Sequence, residues 1–272
     1  MKKFIIGNWK MNFNIQEASF FVDKLSKTVP TRRDVTTVIC PSFLALQPLS
    51  LQIDRRQMKL GAQDCYWRDE GAFTGEVSAA QLHGLTQYVL VGHSERRHIF
   101  GEDDREIRFK VQAALRNGLT PVLCVGETEL ERNEGDTAHV LSDQIVSGLL
   151  NVGTDQIGDV LVAYEPIWAI STSERPTLPD PRDIEQAVEI IRAQVSHMFG
   201  REAGKIISVL YGGSVSKDNA RIYLTAKGID GALVGGKSLI AQEFAGIVDI
   251  AGDIAKEERD EEEAKENKGQ AE

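Results

Sequence analysis

Three consecutive segments decide the fold: "QYVLVG" (87–92), "DREIRFKVQAALRNG" (104–118) and "TPVLCVG" (120–126). The first and third are almost continuously apolar, which is typical of strands covered on both faces. The middle segment repeats apolar residues at three- and four-residue spacings, which predicts an amphipathic helix, and Gly118 suits a helix stop. Together the three segments indicate a parallel β-α-β unit.

The same alternation continues along the rest of the chain. Helical periodicity returns in "QEASFFVDKLSKTV" (16–29) and "PRDIEQAVEIIRAQVSHMF" (181–199). The six further apolar runs are "FIIGNW" (4–9), "VTTVIC" (35–40), "MKLGAQD" (58–64), "DVLVAYE" (159–165), "IISVLYGG" (206–213) and "GALVGG" (231–236). Eight strands that alternate with helices predict a single-domain α/β fold, the closed parallel (β/α)8 barrel, which typically needs about 250 residues.

An open doubly wound sheet is the alternative architecture. Such a sheet normally carries a glycine-rich dinucleotide-binding turn after its first strand. The segment that follows the first strand here, "GNWKMN" (7–12), is not such a turn. The barrel is therefore the favoured prediction.

Composition and charge limit the class of protein. The chain has 272 residues, a net charge of −10 and 42% hydrophobic residues, which suits a soluble globular protein. No apolar stretch approaches the ~20 residues that span a bilayer, and the N-terminal segment lacks a signal-peptide pattern. We therefore expect no membrane association and a cytoplasmic location. The acidic balance also disfavours nucleic acid as a partner.

The cysteines and the C-terminal segment carry no predicted chemistry. Cys40, Cys65 and Cys124 are odd in number and widely spaced, which argues against a disulfide framework and offers no paired metal-ligand motif. Residues 253–272 hold nine acids and four bases and almost no apolar surface. We expect residues 1–252 to form the barrel domain and this acidic tail either to extend the last helix or to be disordered.

The predicted strand ends carry the residues that could perform chemistry. In a barrel of this type, the loops after the C-terminal ends of the strands meet at one mouth. Taken singly, each residue there could be an ordinary solvated or loop residue, but a carboxylate, an imidazole, a cation and two glycine-rich turns converge. These strand-end residues are Asn8, Lys10, His93, Glu95, Cys124, Glu127, Glu165, Gly212, Gly213, Ser214, Gly235 and Gly236. Glycine pairs after strands seven and eight predict a phosphate site, and hence a small phosphorylated carbonyl substrate.

With these residues in place, the chain resembles the triosephosphate isomerase family from about residue 4 to about residue 250. The motifs that carry the resemblance stand in the family's order, each at a predicted strand end: "GNWKMN", "VGHSERR", "PVLCVGE", "AYEPIWAI", "YGGSV" and "LVGG". The resemblance implies a TIM barrel that interconverts dihydroxyacetone phosphate and glyceraldehyde 3-phosphate in glycolysis and gluconeogenesis. It also implies that the reaction needs no metal and no organic cofactor.

The resemblance also implies roles for individual residues. Glu165 is similar to the family's general base, and His93 to its neutral imidazole that hydrogen-bonds the substrate oxygens. Lys10 would neutralise phosphate and enediolate charge, Glu95 would pair with a basic neighbour, and Cys124 would pack behind the base. The predicted substrate-binding residues are Asn8, Lys10, Ser171, Ser214, Gly235 and Gly236.

The predicted lid over the mouth departs from the family pattern. It begins at Pro166 and would close over Glu165 to exclude water. The family's Gly-Thr-Gly is replaced here by Ser171-Thr172-Ser173, and Pro176 stands where small flexible residues are usual. Lys237 replaces a small residue after the second glycine pair, and we expect it to project into solvent.

The segment "CYWRDEGAFTGEVS" (65–78) matches the family's protruding third loop and implies a homodimer. Tyr66, Trp67 and Phe73 in this loop would expose apolar area on a monomer.

Two other functional classes stay open. One is a phosphate-binding scaffold without catalysis, and the other is a different phosphate-handling barrel enzyme such as an aldolase, which would use a Schiff-base lysine.

Overall fold

The computed structural model of the protein describes residues 2–170 and 178–269. Its eight strands are β1 Lys3–Asn8, β2 Val35–Cys40, β3 Lys59–Ala62, β4 Tyr88–Val91, β5 Thr120–Val125, β6 Leu161–Tyr164, β7 Ser208–Tyr211 and β8 Gly231–Val234. Each strand pairs in parallel with its neighbours in chain order, and β8 returns to β1 with Phe4 opposite Gly231. The closed parallel barrel confirms the predicted fold and excludes the open sheet.

Helices surround the barrel in the described part of the chain. They are α1 Ile15–Thr28, α2 Phe43–Gln52, α3 Ala79–Leu82, α4 Ser94–His98, α5 Asp104–Arg116, α6 Glu129–Glu134, α7 Thr137–Leu149, α8 Pro181–Phe199, α9 Arg201–Ile206, α10 Ala220–Leu224 and α11 Ala241–Gly269. Helices α5 and α8 begin at the predicted residues. The repeat of strand and helix is less regular than predicted, because only the four-residue α3 lies between β3 and β4. No helix of residues 2–170 and 178–269 is long and apolar enough to cross a membrane.

The strands are continuously apolar because the two sides of the barrel wall are both packed. Successive side chains on a strand point to opposite faces. On β2, Val38 and Cys40 belong to the cluster inside the barrel, whereas Ile39 packs outward against the helices. The cluster inside the barrel consists of Ile6, Val38, Cys40, Tyr88, Leu90, Val122, Cys124, Leu161, Ala163, Leu210 and Leu233. No strand therefore shows the alternation of a sheet with one wet face.

Local sequence also sets where the helices begin. At α5, the Asp103 carboxylate accepts a hydrogen bond from the Glu106 N–H, and the Glu106 carboxylate accepts one from the Asp103 N–H. This capping box satisfies two N–H groups that the helix leaves unpaired. Ile107, Val111 and Ala114 then follow at helical spacing and are fully buried. The apolar periodicity that predicted the helix is the face that covers the barrel.

The acidic tail continues the last helix. Helix α11 runs without interruption through residue 252 to Gly269, which is the helical extension of the two predicted alternatives. Ile254 in this segment is 2% exposed. Glu258 Oε1 lies 2.7 Å from Nζ of Lys3, and Arg259 Nη1 lies 2.9 Å from Oδ2 of Asp34. The first part of the tail therefore packs against the N-terminal end of the barrel.

The third loop exposes less apolar surface than the sequence suggested. The rings of Tyr66 and Trp67 stack with their centroids 4.1 Å apart, and Tyr66 also lies against Phe73, with 4.7 Å between centroids. Tyr66 and Trp67 are half-buried as a result, and Phe73 is 38% exposed. The expectation of three exposed aromatic rings was wrong for two of them, because the rings cover one another.

Candidate active site

Glu165 is a buried carboxylate at the mouth of the barrel. It follows β6 directly, and its side chain is only 4% exposed. Its Oε2 accepts a hydrogen bond of 3.0 Å from the backbone N–H of Ser94, at the start of α4. Its Oε1 lies 3.1 Å from Nε2 of His93. Two donors therefore hold the carboxylate in place of water.

The hydrogen bonds around His93 fix its tautomer. His93 follows β4 and forms the N-cap of α4, where the backbone N–H of Glu95 donates to Nδ1 over 3.2 Å. A nitrogen that accepts a hydrogen bond carries no proton, so the imidazole proton sits on Nε2. That N–H points to Glu165. The arrangement is a neutral imidazole with one N–H donor directed into the mouth.

Lys10 is held in an unusual backbone conformation. Its φ is +52°, a left-handed region that costs a non-glycine residue about 1–2 kcal/mol. The Lys10 N–H donates to Oδ1 of Asn8 over 3.0 Å, and Gln63 Nε2 donates to the Lys10 carbonyl over 2.8 Å. These bonds on both sides of the residue offset the strain. They direct the ammonium toward Glu95, whose Oε1 lies 2.6 Å from Nζ, the basic partner predicted for Glu95.

Alternation along β1 explains the spacing of Asn8 and Lys10. Trp9 between them is fully buried and packs edge-on against Phe13 and Phe21, with 5.3 Å between ring centroids in both pairs. Its indole therefore anchors the strand end in the helical layer. The two polar neighbours face the mouth instead, since adjacent side chains point to opposite sides.

Glycine at position 212 makes room for the carboxylate. A Cβ added there would lie 2.7 Å from Cγ of Glu165 and 3.1 Å from the Tyr164 carbonyl oxygen. Such contacts are well inside van der Waals separation, so alanine at this position would displace the base. At Gly235 an added Cβ would be 3.7 Å from Cε of Lys10, which is ordinary contact.

The structure brings most of the predicted site residues into one cavity. Its lining in the described chain consists of Asn8, Lys10, His93, Ser94, Glu165, Ile170, Gly212, Gly213, Leu233 and Gly235. Gly236 is adjacent to this lining and exposed. Ser214 lies outside the lining, and its hydroxyl donates to the Ala169 carbonyl over 3.0 Å. Ser171, with the rest of the altered lid sequence up to Thr177, lies outside the described residues.

Glu127 is a buried carboxylate beside the site for which the sequence suggested no role. Its Oε1 accepts hydrogen bonds from the Tyr164 hydroxyl, over 3.0 Å, and from Trp168 Nε1, over 2.8 Å. Burial raises the pKa of Glu127, and the bond from Trp168 opposes this shift. The guanidinium of Arg132 lies over the Trp168 ring at 4.1 Å. Its position directly after β5 was the available signal, but the partners depend on packing between three strands' loops.

Two other contributors to the site gave no signal in the sequence. Ser94 acts through its backbone N–H, a group that every residue except proline carries. Gln63 follows β3 and ties the Lys10 carbonyl to that of Cys40.

Cys124 lies inside the barrel below the carboxylate. It is buried, and burial raises the pKa of its thiol well above the usual range, with the negative charge of Glu165 adding to the effect. A thiol in this state is a poor nucleophile, because the thiolate is the reactive form. The position agrees with the prediction that Cys124 packs behind the base.

Comparison with known proteins identifies the family. The model of the triosephosphate isomerase family matches residues 3–251. Triosephosphate isomerases of Natranaerobius thermophilus and Carboxydothermus hydrogenoformans are each 42% identical over 248 residues, which covers 91% of this chain and 95% and 98% of those proteins. The crystal structure of triosephosphate isomerase from Bartonella henselae is similar with a TM-score of 0.82 and 34% identity, covering 92% of this chain and 99% of that one. On the sequence, the fold and the arrangement of the mouth, this chain belongs to the triosephosphate isomerase family.

Proposed function

We propose that Glu165, His93 and Lys10 are the catalytic residues with which this isomerase performs its family's reaction. That reaction is the reversible interconversion of dihydroxyacetone phosphate and D-glyceraldehyde 3-phosphate, in glycolysis and gluconeogenesis. The observation that carries the proposal is the 3.1 Å separation of Glu165 Oε1 and His93 Nε2 in the cavity that Lys10 also lines. A proton acceptor and a hydrogen-bond donor close enough to contact neighbouring atoms of one small substrate are what an enediolate reaction needs.

Proton transfer begins at the carboxylate. Glu165 removes a proton from the carbon next to the carbonyl, the C–H electrons form the carbon–carbon double bond, and the carbonyl oxygen takes the negative charge. The Nε2–H of His93 donates to that oxygen. A neutral imidazole stabilises the charge without giving its proton away too easily, as is known for this family. Return of the proton from Glu165 to the neighbouring carbon completes the isomerisation.

The remaining predicted residues bind the substrate. The ammonium of Lys10 attracts the phosphate and the developing enediolate charge, and it exchanges part of its pairing with Glu95 for this purpose. Backbone N–H groups at Gly235 and Gly236 bind the phosphate oxygens, with Ser214 and Ser171 as the further predicted contacts. Asn8 supports Lys10 through the hydrogen bond to its N–H.

The pairing of Lys10 also bears on the aldolase alternative. A Schiff-base lysine must lose its proton before it attacks a carbonyl. Lys10 instead forms a 2.6 Å ion pair with Glu95, which favours the charged ammonium. The geometry therefore supports electrostatic stabilisation rather than covalent catalysis at this residue.

Replacement of Glu165 by aspartate tests the assignment of the base. The shorter side chain withdraws the carboxylate by about one bond length, and displacement on this scale can cost about 100-fold in rate. We expect Glu165→Asp to lower kcat at least 100-fold with KM changed less than threefold, measured in an assay that couples glyceraldehyde 3-phosphate isomerisation to NADH-dependent reduction of the ketone.

Ser42→Ala is the matched control for this test. Ser42 caps α2 without a side-chain hydrogen bond, so its removal should leave both kinetic constants unchanged. An equal loss of kcat in the two variants would refute the assignment of Glu165 as the base.

The protein also acts as a homodimer in the cytoplasm, as the second part of the proposal. Support for dimerisation comes from apolar side chains that project near the mouth, including Met11 at 97% exposure, Leu44 at 76% and Phe73 at 38%. The three cysteines are free and buried, which suits a reducing compartment. Sedimentation velocity decides the first point, since a species of 30.0 kDa would be a monomer, and cell fractionation decides the second.

A further inference from the structure

A second concave site lies at the opposite end of the barrel from the mouth. It is a cavity of about 300 Å³, at the lower end of volumes that bind small molecules. Its walls are the segments that lead into β1, β2 and β3, together with the first residues of β2 and β3. We name it the cationic cavity, because its lining includes Lys2, Arg32, Arg33, Arg55, Arg56 and Lys59.

The charge of the cationic cavity is unusual for this protein. Six of its eleven lining residues are lysine or arginine and none is aspartate or glutamate. The chain as a whole contains 41 acidic and 31 basic residues, so acids outnumber bases on an average patch. A concave surface lined by one sign of charge concentrates the field and attracts ions of the opposite sign.

The chain neutralises little of this charge itself. Arg32 forms ion pairs with Asp249 and Asp253, yet its Nε is buried without a hydrogen-bond partner among the described residues. The other five cations form no ion pair in the described part of the chain. Burial lowers the pKa of Lys59, and the positive charge of Lys2 lowers it further. The two lysines therefore oppose each other's charge, and a bound anion would relieve that repulsion.

The loop that carries Arg55 and Arg56 is already ordered for binding. The Asp54 carbonyl accepts hydrogen bonds from the N–H groups of Gln57 and Met58, both over 3.0 Å. Arg55 Nη2 donates to the Gly84 carbonyl over 3.0 Å. A site held in this way loses little conformational entropy when a ligand binds.

Gln57 ties the same loop to α1 and the residue after it. Its side-chain amide donates to the carbonyls of Ser26, over 2.8 Å, and Val29, over 2.7 Å.

We propose that the cationic cavity binds a small anion that carries two or more phosphate groups. A single phosphate cannot reach cations on three separate segments, whereas linked phosphates can contact Lys2, the Arg32–Arg33 pair and the Arg55–Arg56 pair together. Arginine suits this role because its planar guanidinium donates two parallel hydrogen bonds to phosphate oxygens. The site is distinct from the mouth and does not depend on the roles proposed for Glu165 and His93.

Calorimetric titration with inorganic triphosphate tests the proposal on the full-length protein at low ionic strength. We expect one binding event per chain, and we expect Arg33→Gln/Arg56→Gln to weaken it at least tenfold. Both arginines are exposed, so the variant should fold and keep its isomerase activity. Added salt should weaken binding to the unaltered protein, because exposed charges are screened within about 10 Å at 0.1 M ionic strength.

Two further variants distinguish the cationic cavity from cations elsewhere on the protein. Lys24→Gln/Arg201→Gln removes two exposed cations that do not line the cavity, and it should bind triphosphate as the unaltered protein does. Lys10→Met removes the cation of the mouth and should also leave this binding intact. Absence of binding in the unaltered protein, equal weakening in the Lys24/Arg201 pair, or loss of binding in Lys10→Met would each overturn the proposal.

Discussion

The two ends of the barrel treat charge in opposite ways. At the mouth, each charged group has a close partner: Lys10 pairs with Glu95 at 2.6 Å, and Glu165 accepts from Ser94 over 3.0 Å. In the cationic cavity, like charges face one another and the pKa of Lys59 is lowered in consequence. Groups that must transfer a proton need one fixed geometry, whereas groups that only attract an anion need net charge. The difference separates a site built for chemistry from one built for binding.

The contrast extends to the backbone. The mouth contains a left-handed lysine with φ of +52°, and two side-chain hydrogen bonds hold it. Local strain of this kind persists only where the surrounding structure determines it, and it is concentrated at functional sites. The residues that line the cationic cavity show no positive φ. Precise placement is therefore confined to the end of the barrel where atoms react.

Removal of the acidic tail should produce the largest effect, and at the N-terminal end alone. A chain that ends after Gly252 loses the buried Ile254 and leaves the ammonium of Lys3, 4% exposed, without Glu258. Burial of an isoleucine contributes about 2 kcal/mol and loss of the ion pair about as much again. We expect the free energy of unfolding to fall by about 4 kcal/mol and Tm by on the order of 10 °C, measured by calorimetry.

A chain that ends after Arg259 is the control for this truncation. It keeps Ile254, Glu258 and the pair between Arg259 and Asp34, so its Tm should change by less than about 2 °C. In both truncations kcat should stay within twofold, because the mouth is at the other end. A large loss of kcat in the shorter chain would show that the two ends are coupled.

Gly212→Ala should have the next largest effect, and only at the mouth. The added Cβ would lie 2.7 Å from Cγ of Glu165 and push the carboxylate from its position. We expect kcat to fall about 100-fold, which corresponds to about 2.7 kcal/mol in the activation free energy. Gly158→Ala is the matched control, since its nearest new neighbour would be 3.7 Å away, and it should leave kcat unchanged. Full activity of Gly212→Ala would mean that the base has room to move.

Lys2→Gln should give the smallest effect, in the cationic cavity. Lys59 has a folded-state pKa below its usual 10.5, so the folded protein binds fewer protons than the unfolded chain between these two values. Stability therefore rises with pH across that window. Removal of the Lys2 charge should raise the pKa of Lys59 and reduce the rise, as carbon NMR of the lysine side chains would show. Lys24→Gln, outside the cavity, should leave the pKa of Lys59 where it is; an unmoved pKa in Lys2→Gln would contradict the proposed repulsion.

The sequence was sufficient for the barrel and for the proximity of most of the site. Apolar runs mark buried parallel strands, and the C-terminal ends of such strands meet at one mouth whatever the details of the loops. Asn8, Lys10, His93, Glu165 and Gly235 could therefore be placed together from the order of strands and helices alone. Their functional roles stay a proposal that the variants above test.

Contacts made across the fold could not be predicted in this way. The amide of Gln63 on the Lys10 carbonyl depends on the register of three strands, and nothing in the residue type announces it. The stacking of Tyr66 on Trp67 depends on the path of a loop. The placement of the tail required knowledge of which charges lie at the strand starts. Each of these contacts joins residues that only the folded chain makes neighbours.

The uninterrupted path of α11 has a practical consequence for labelling. Ala255 is the last residue that the barrel covers fully, and the helix continues from there to Gly269. At 1.5 Å per residue, this continuation is about 20 Å long. A fluorophore or affinity handle joined beyond Gly269 would thus stand on a built-in spacer, away from the substrate's entrance, and immobilisation through it would leave catalysis accessible to the surrounding solution.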